Sequence, residues 1–442
     1  AYLGITLVIV LVNDGWSGRP NGIAHQLLLL PLTGTFLCLL RNLLGSGVER
    51  VVDKPWRGSL APVLPVLLIL SIFELTSLVG FGYESRHFAR FGYSLRPAAA
   101  CLTGAAVVIG LTGVWRTRTG LKTITSLLLI YGAGLELAIR CFPLNYLRSD
   151  MLPVISWADE RLLSHANPYG TIHIGNRLYD FPYLPGMLVA FIPAAAARID
   201  LRYITMFCVF GSALLIYAAA EKRMQHGAAF LLGTFLLSPF LQYRHDLYLA
   251  PHWLALTAAM FLLQRRHLGW ASIFFGISMA IYQLSWVIFP FLLLYALRRD
   301  GLRGLIKAAS LSMAGMFLVV GPFLRSAMDR IASNTVGQWS LLPHALADPI
   351  NLSYWATYIV RPDQLKWVQL AVLTGVFGFC MVRGYCRTLE DMLRWMCIAL
   401  TIFIALNVIV DGYFYLTLLL LMLMYTCAAT GIWSDENQRE TP

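Results

Sequence analysis

Charge is scarce in this sequence. Only 13% of its 442 residues are Asp, Glu, Lys or Arg, about half the ~25% usual in soluble domains. Acidic residues are the scarcer kind: 23 against 34 Lys and Arg, for a net charge of +11. With 58% hydrophobic residues and a mean hydropathy of +0.66, the chain is excluded from the soluble globular class. Other absences narrow the chemistry. No Walker A loop, GxSxG, HExxH or GxGxxG after a strand is present, so nucleotide-driven pumping and soluble-type hydrolase chemistry have no support. The eight cysteines form no CxxC or Cys/His metal spacing. Most of them, Cys38, Cys101, Cys208 and Cys397 among them, lie inside apolar runs and read as small buried residues rather than disulfides or zinc ligands. No interleaved basic and aromatic pattern suggests nucleic acid, and no internal repeat is evident.

What the chain has is apolar runs, many near the ~20 residues needed to cross a bilayer. They fall at 1–13, 24–43, 60–81, 97–115, 123–143, 183–197, 201–220, 227–241, 247–264, 269–297, 304–325, 366–384, 393–410 and 413–432. The first, from Ala1 to Val12, is short and reads as a trimmed first helix, because no small-residue cleavage site follows it. The run at 269–297 is too long for one span and predicts a helical hairpin bent at Tyr282-Gln283. Basic clips separate the runs: Arg50/Lys54/Arg57, Arg116/Arg118/Lys122, Lys222/Arg223, Arg265/Arg266, Arg298/Arg299/Arg303/Lys307 and Arg383/Arg387. Such clips favour the cytoplasmic side. They share it only if 269–297 is a hairpin and the short, Pro-flanked segment 183–197 lies at the interface or re-enters instead of crossing. The expectation is an all-α, polytopic integral membrane protein with about 14 transmembrane helices and both termini inside. Residues 1–121 form an N-terminal helical block, 122–442 carry the remaining features, and the acidic tail Asp435 to Pro442 reads as disordered. The loops 144–182 and 326–365 and the turn Gln242 to Asp246 then face one compartment.

Polar residues concentrate in those loops. Asp150 follows the span ending near Phe142. After it, Leu152, Ile155, Ala158 (or Asp159) and Leu162 recur at helical spacing, which predicts a short helix on the membrane surface, ended by the turn Asn167-Pro168-Tyr169-Gly170. A carboxylate at such a corner is partly desolvated and suits a general base; equally, Asp150 fits the N-cap of that helix. In Leu178 to Pro185, two prolines in four residues impose an extended, rigid turn. The aromatics around it suit either sugar stacking or an interfacial belt. Gln242-Tyr243-Arg244-His245-Asp246 places ionisable groups in a tight turn, where Arg244 is either an interface anchor or, with His245, a phosphate ligand. Within the runs, Glu136 and Arg140 stand four apart and read as a structural pair, while Glu74 has no evident partner. The loop 326–365, with Asn334, Gln338, Trp339, His344, Asp348, Trp355 and Tyr358, mixes polar and aromatic side chains as carbohydrate or headgroup contacts do.

Taken together, these residues resemble the GT-C superfamily of integral-membrane glycosyltransferases, and most of all the mannosyltransferases that use polyprenyl-phosphate-mannose. That pattern is an Asp in the first outer loop, a surface helix, Gly-x-x-Pro-Tyr, then Tyr-x-Tyr-Pro-Pro-Leu. Here it reads Ser149-Asp150, His165-Ala166-Asn167-Pro168-Tyr169 and Tyr179-Asp180-Phe181-Pro182-Tyr183-Leu184-Pro185. The downstream Gly-Gln-x-Asp turn looks like Gln242 to Asp246. The likeness covers roughly 122–442. His165-Ala166 stands where the motif begins with Gly, Tyr183-Leu184 splits the double Pro, and four helices precede the loop that usually follows the first.

The resemblance implies inverting transfer of one sugar, mannose first among candidates, from a polyprenyl-phosphate donor to a lipid or glycan acceptor hydroxyl. Asp150 would be the catalytic base. Arg244, His245, Arg177 and Arg148 would hold the donor phosphate. Asp159, Tyr169, Tyr179, Asp180, Tyr183, Gln242, Asp246 and His344 would contact sugar or acceptor. A single carboxylate with in-line attack gives inversion, whereas retention needs a second as nucleophile. No cofactor or metal is called for, and the partners are the donor, the acceptor and membrane lipids. The donor's tail would lie in a groove near 183–197. The implied location is a bacterial inner or plasma membrane, with the active site on the periplasmic or outer side. The rival readings are a transporter or flippase of a lipid-linked glycan, which would line a central path with charge, and a non-catalytic scaffold of a glycan assembly complex.

Overall fold

Backbone N–H and C=O groups among apolar side chains must bond one another, and a helix does this within a single segment. The apolar runs accordingly fold as helices in the computed structural model, which describes residues 120–141, 144, 151–174, 177–236, 241, 247–333, 346–347, 352–410 and 414–433. The N-terminal block expected at 1–121, Glu74 within it and the acidic tail lie outside the described residues but for the last two positions of the block.

The order is α1 (Gly120–Cys141), α2 (Met151–Leu163), β1 (Thr171–Ile174), β2 (Arg177–Asp180), α3 (Pro185–Ala197), α4 (Arg202–Ala219), a 3-10 turn (Lys222–Met224), α5 (Gln225–Leu236), α6 (Ala250–Gln264), α7 (Leu268–Ile281), α8 (Leu284–Ala332), β3 (Leu346–Ala347), α9 (Leu352–Ala356), α10 (Pro362–Arg383), α11 (Leu389–Leu406), β4 (Ile409–Val410) and α12 (Phe414–Ala429). Helices carry the architecture. The strands form two small pairings, β1 antiparallel with β2 and β3 parallel with β4. Three stretches, Arg202–Ala219, Leu284–Leu324 and Pro362–Arg383, are long and apolar enough to cross a membrane. Described helices of this kind are those of a membrane protein.

The expected break at 282–283 is present. Tyr282 is extended (φ −150°, ψ 138°) and ends α7; α8 then folds back, with Trp286 Nε1 donating to Met279 O at 2.9 Å and Phe275 against Phe289. A second reversal splits α8 at Gly301 (φ 68°, ψ −159°), a backbone region essentially reserved for glycine. The arm beyond Gly301 returns along α7. Gly276 lies against the Ser312 carbonyl and Gly315 against the Ile273 carbonyl, so closely that a Cβ at either position would collide. Small residues permit such close helix contact between apolar helices.

These turns give the bundle two distinct ends. At the basic end, Gln264 and Arg265 donate to the carbonyls of Ala219 and Ala218. There too Glu221 N donates to Ile432 O, and Arg298 donates to Met381 O. At the loop end, Arg202 donates to Ile139 O and Thr205 to Leu247 O. The short helix α3 has both termini at the loop end. Gly186 abuts the Ala280 carbonyl, and the turn after Arg198 runs into the Asp200–Arg202 ion pair. Its 13 residues reach about 20 Å, against the ~30 Å of a hydrocarbon core. It stays at one end, as the basic clips required.

Candidate functional site

The loop end carries the polar and aromatic cluster. Helix α2 buries Leu152, Val154, Ile155, Ala158 and Asp159, close to the expected amphipathic face, and packs on α3. Asp159 is fully buried, and neither of its carboxylate oxygens has a hydrogen-bond partner among the described residues. Burial, and secondarily the neighbouring Glu160 carboxylate, push its pKa up to about 8. Loss of hydration penalises the charged form, so at neutral pH Asp159 is mainly a neutral acid that can donate as well as accept a hydrogen bond.

The turn after α2 is rigidly built. His165 takes a left-handed conformation (φ 59°). Asn167 Oδ1 accepts from Tyr169 N at 2.9 Å, and Asn167 O accepts from Arg161 Nε at 2.8 Å. Arg161 also lies over the Trp157 ring. Tyr169 is fully buried, and burial pushes its phenol pKa up. Its hydroxyl donates to Tyr183 O at 3.2 Å. Its own carbonyl accepts from Arg330 Nη1 at 2.9 Å. This last bond ties the first loop to the end of α8, where the loop after α8 begins.

From Tyr169 an aromatic column runs into the bundle. Tyr169 meets Phe181 edge-on, Phe181 meets Tyr183, and Tyr183 meets Tyr248 with centroids 4.8 Å apart. Tyr248 meets Tyr282, their hydroxyls 3.4 Å apart. Tyr282 in turn touches His252 and Phe414. Below it, Ser278 Oγ lies 2.8 Å from His252 Nδ1 and 2.7 Å from Ser285 Oγ. The His252 Nε2 is buried with no partner among the described residues.

Asp159, Tyr169 and Tyr183 therefore belong to one end of the bundle, and Tyr169 and Tyr183 to one column. Asp180 is exposed and accepts from Thr171 Oγ1 at 2.8 Å, closing the β1–β2 hairpin and standing outside that column. Arg177 and Tyr179 lie on β2, but their side chains are outside the described residues. So are Arg148, Asp150, Gln242, Arg244, His245, Asp246 and His344, as are Asn334, Gln338, Trp339 and Asp348. Glu136 accepts from Tyr203 OH at 2.7 Å; the side chain of its expected partner Arg140 is outside the described set. Sequence reasoning missed Tyr248, His252, Ser278, Ser285 and Arg330. His252 had a signal, since an ionisable residue inside an apolar run is a functional suspect. The serines and Tyr248 had none short of the packing itself. Comparison with family models, with curated proteins and with solved structures finds no match.

Proposed function

We propose that the chain is a multi-pass, inverting GT-C-type glycosyltransferase that moves one sugar, mannose first among candidates, from a polyprenyl-phosphate donor to a lipid or glycan hydroxyl. The observation that carries this reading is the loop-end assembly. It joins a buried, unpaired acid (Asp159), a rigid Asn-Pro-Tyr turn and a column of tyrosines that reaches the segment just after the 242–246 turn. Sugars are commonly held by aromatic faces together with a few fixed polar groups. His165 adds support: it adopts a backbone conformation natural to glycine, at the place where the family motif has Gly.

In the proposed reaction Asp150 accepts the acceptor's hydroxyl proton as that oxygen bonds to the sugar's anomeric carbon. The bond from that carbon to the phosphate oxygen breaks, and the polyprenyl phosphate departs with the electron pair. The leaving group needs cationic stabilisation more than a proton, the role assigned to Arg244 and His245 with Arg177 and Arg148. Asp159, as a neutral acid, donates to a sugar hydroxyl or ring substituent. The lipid tail lies along α3, whose Val189 and Pro193 are exposed. The proposed setting is a bacterial inner or plasma membrane, with the loop end on the periplasmic or outer side.

The test incubates the purified full chain with labelled polyprenyl-phosphate-mannose and candidate lipid acceptors. Transfer should be abolished in Asp150→Asn with donor binding retained, and reduced by a factor of 100 or more in Arg244→Ala, since one such electrostatic contact is worth roughly 10²–10³ in rate. Undiminished turnover in Asp150→Asn would overturn the proposal. A lipid-glycan flippase is the second reading, favoured by the buried His252–Ser278–Ser285 cluster inside the helices. It predicts movement of labelled lipid between leaflets of vesicles without any new glycosidic bond.

A further inference from the structure

At the basic end, opposite the loops, a cavity of about 620 Å³ opens between the start of α7 and the reversal of α8. Four cationic side chains, Arg266, Arg299, Arg303 and Lys307, line it against a single carboxylate, Asp300. Arg299 is partly committed: its Nε lies 3.8 Å from Asp300 Oδ1, and its Nη1 donates to Tyr295 OH at 3.0 Å. Arg266, Arg303 and Lys307 have no ion pair among the described residues. Lys307 crosses to the first turn of α7, where a Cβ on Gly269 would come within 3.3 Å of its Cε. Leu268, Gly269 and Trp270, the first turn of α7, line the same space, at the positive end of the helix dipole.

The rest of the lining is apolar. Trp270, Ile273 and Leu311 complete the lining on the α7 and α8 faces, with Leu311 beside Lys307 over Gly269. Trp270 is 63% exposed, and on the adjoining arm of α8 Leu302, Ile306, Met313 and Phe317 form an exposed apolar stripe at helical spacing. A soluble anion would use only the cationic half of such a site. A ligand with an anionic phosphate at one end and a hydrocarbon chain at the other uses both.

We propose that this cavity is a binding site for an anionic membrane phospholipid, its phosphate held by Arg266, Arg303 and Lys307 and an acyl chain laid along Trp270, Ile273 and Leu311. The shared chemistry is a phosphate ester; the apolar lining assigns it to a lipid rather than to a free phosphate. The site is separate from the loop-end cluster and stands whether or not the transfer reaction does. Basic pockets between membrane helices suit lipid headgroups of this kind.

The test is lipid retention by the full-length protein, purified from mixed phosphatidylglycerol and phosphatidylcholine and read by native mass spectrometry. Wild type should keep phosphatidylglycerol preferentially. The Arg303→Gln/Lys307→Gln variant should bind it roughly 25-fold more weakly, as two lost cation contacts near a membrane surface imply. Lys307→Gln alone should lose roughly fivefold and serves if the double variant does not fold. Arg383→Gln/Arg387→Gln, at the same end but outside the cavity, should keep wild-type retention. Trp270→Ala should weaken lipid retention without creating affinity for soluble glycerol phosphate. Three results would overturn the proposal: undiminished retention in the Arg303/Lys307 variant, an equal loss in the Arg383/Arg387 control, or displacement of the lipid by millimolar glycerol phosphate.

Discussion

Asp159 is the residue with the most to say about pH. An exposed or unfolded aspartate titrates near ~4, whereas burial carries folded Asp159 to about 8. Between those values the folded chain holds a proton that the unfolded chain releases. Stability attributable to this group is therefore complete below about pH 4 and declines as pH rises toward 8, by an amount on the order of a few kcal/mol. Asp159→Asn, which mimics the neutral acid in shape, should remove that decline and leave the variant the more stable of the two at pH 8. Thermal unfolding in detergent at pH 5, 6.5 and 8 checks this; an unchanged pH slope in the variant would refute it. Sequence pattern placed residue 158 or 159 on the inner face of its helix. It could not say that the carboxyl would find no partner, because that depends on what α3 brings against it.

Among elements, the chain's punctuation was the most legible part. Tyr282-Gln283 in the middle of an over-long apolar run announced the α7–α8 hairpin, and the short, Pro-flanked segment 183–197 announced a helix of only 13 residues. The β1–β2 hairpin was overlooked although Gly175-Asn176 stands between TIHI and RLYD, a two-residue turn signal between strand-prone flanks. Its four-residue strands were masked by the stronger aromatic and proline pattern just after them. The reversal between 297 and 304 was legible as a basic clip joining two apolar runs, but nothing in RRDGLRG marked Gly301 as the residue that makes it. No heavy atom would crowd a Cβ there, so the demand for glycine comes from backbone geometry alone. Gly301→Ala should destabilise the protein by about 1–3 kcal/mol through φ/ψ strain, read as a lower unfolding midpoint, while Gly375→Ala, equally uncrowded on α10, should not. Equal midpoints for the two variants would dismiss the reversal as a constraint.

For the whole molecule, the expectation that the loops gather at one end and the basic clips at the other is met wherever residues are described. Charge counting alone gave only a modest bias; the hairpin and α3 made the pattern self-consistent. If this polarity matches the membrane, single cysteines introduced at Asp180 and Asp363 should react with an impermeant thiol reagent from one side of sealed vesicles. Cysteines at Lys222 and Arg387 should react only from the other. With Cys38, Cys101 and Cys141 replaced by Ser, the native thiols left, at 208, 380, 386, 397 and 427, are buried and give little background. Labelling of Asp180→Cys and Lys222→Cys from the same side would break the proposed arrangement.

The brevity of α3 has a topological cost attached to its alteration. In the proposed topology, everything after residue 198 keeps its sidedness because this helix turns back. An insertion of about seven apolar residues would give it the reach of a full span. The downstream clips would then have to invert against the positive-inside preference, or the lengthened helix would be expelled from the hydrocarbon. Parity of insertion for the last half of the chain thus hinges on a segment whose own sequence is almost featureless.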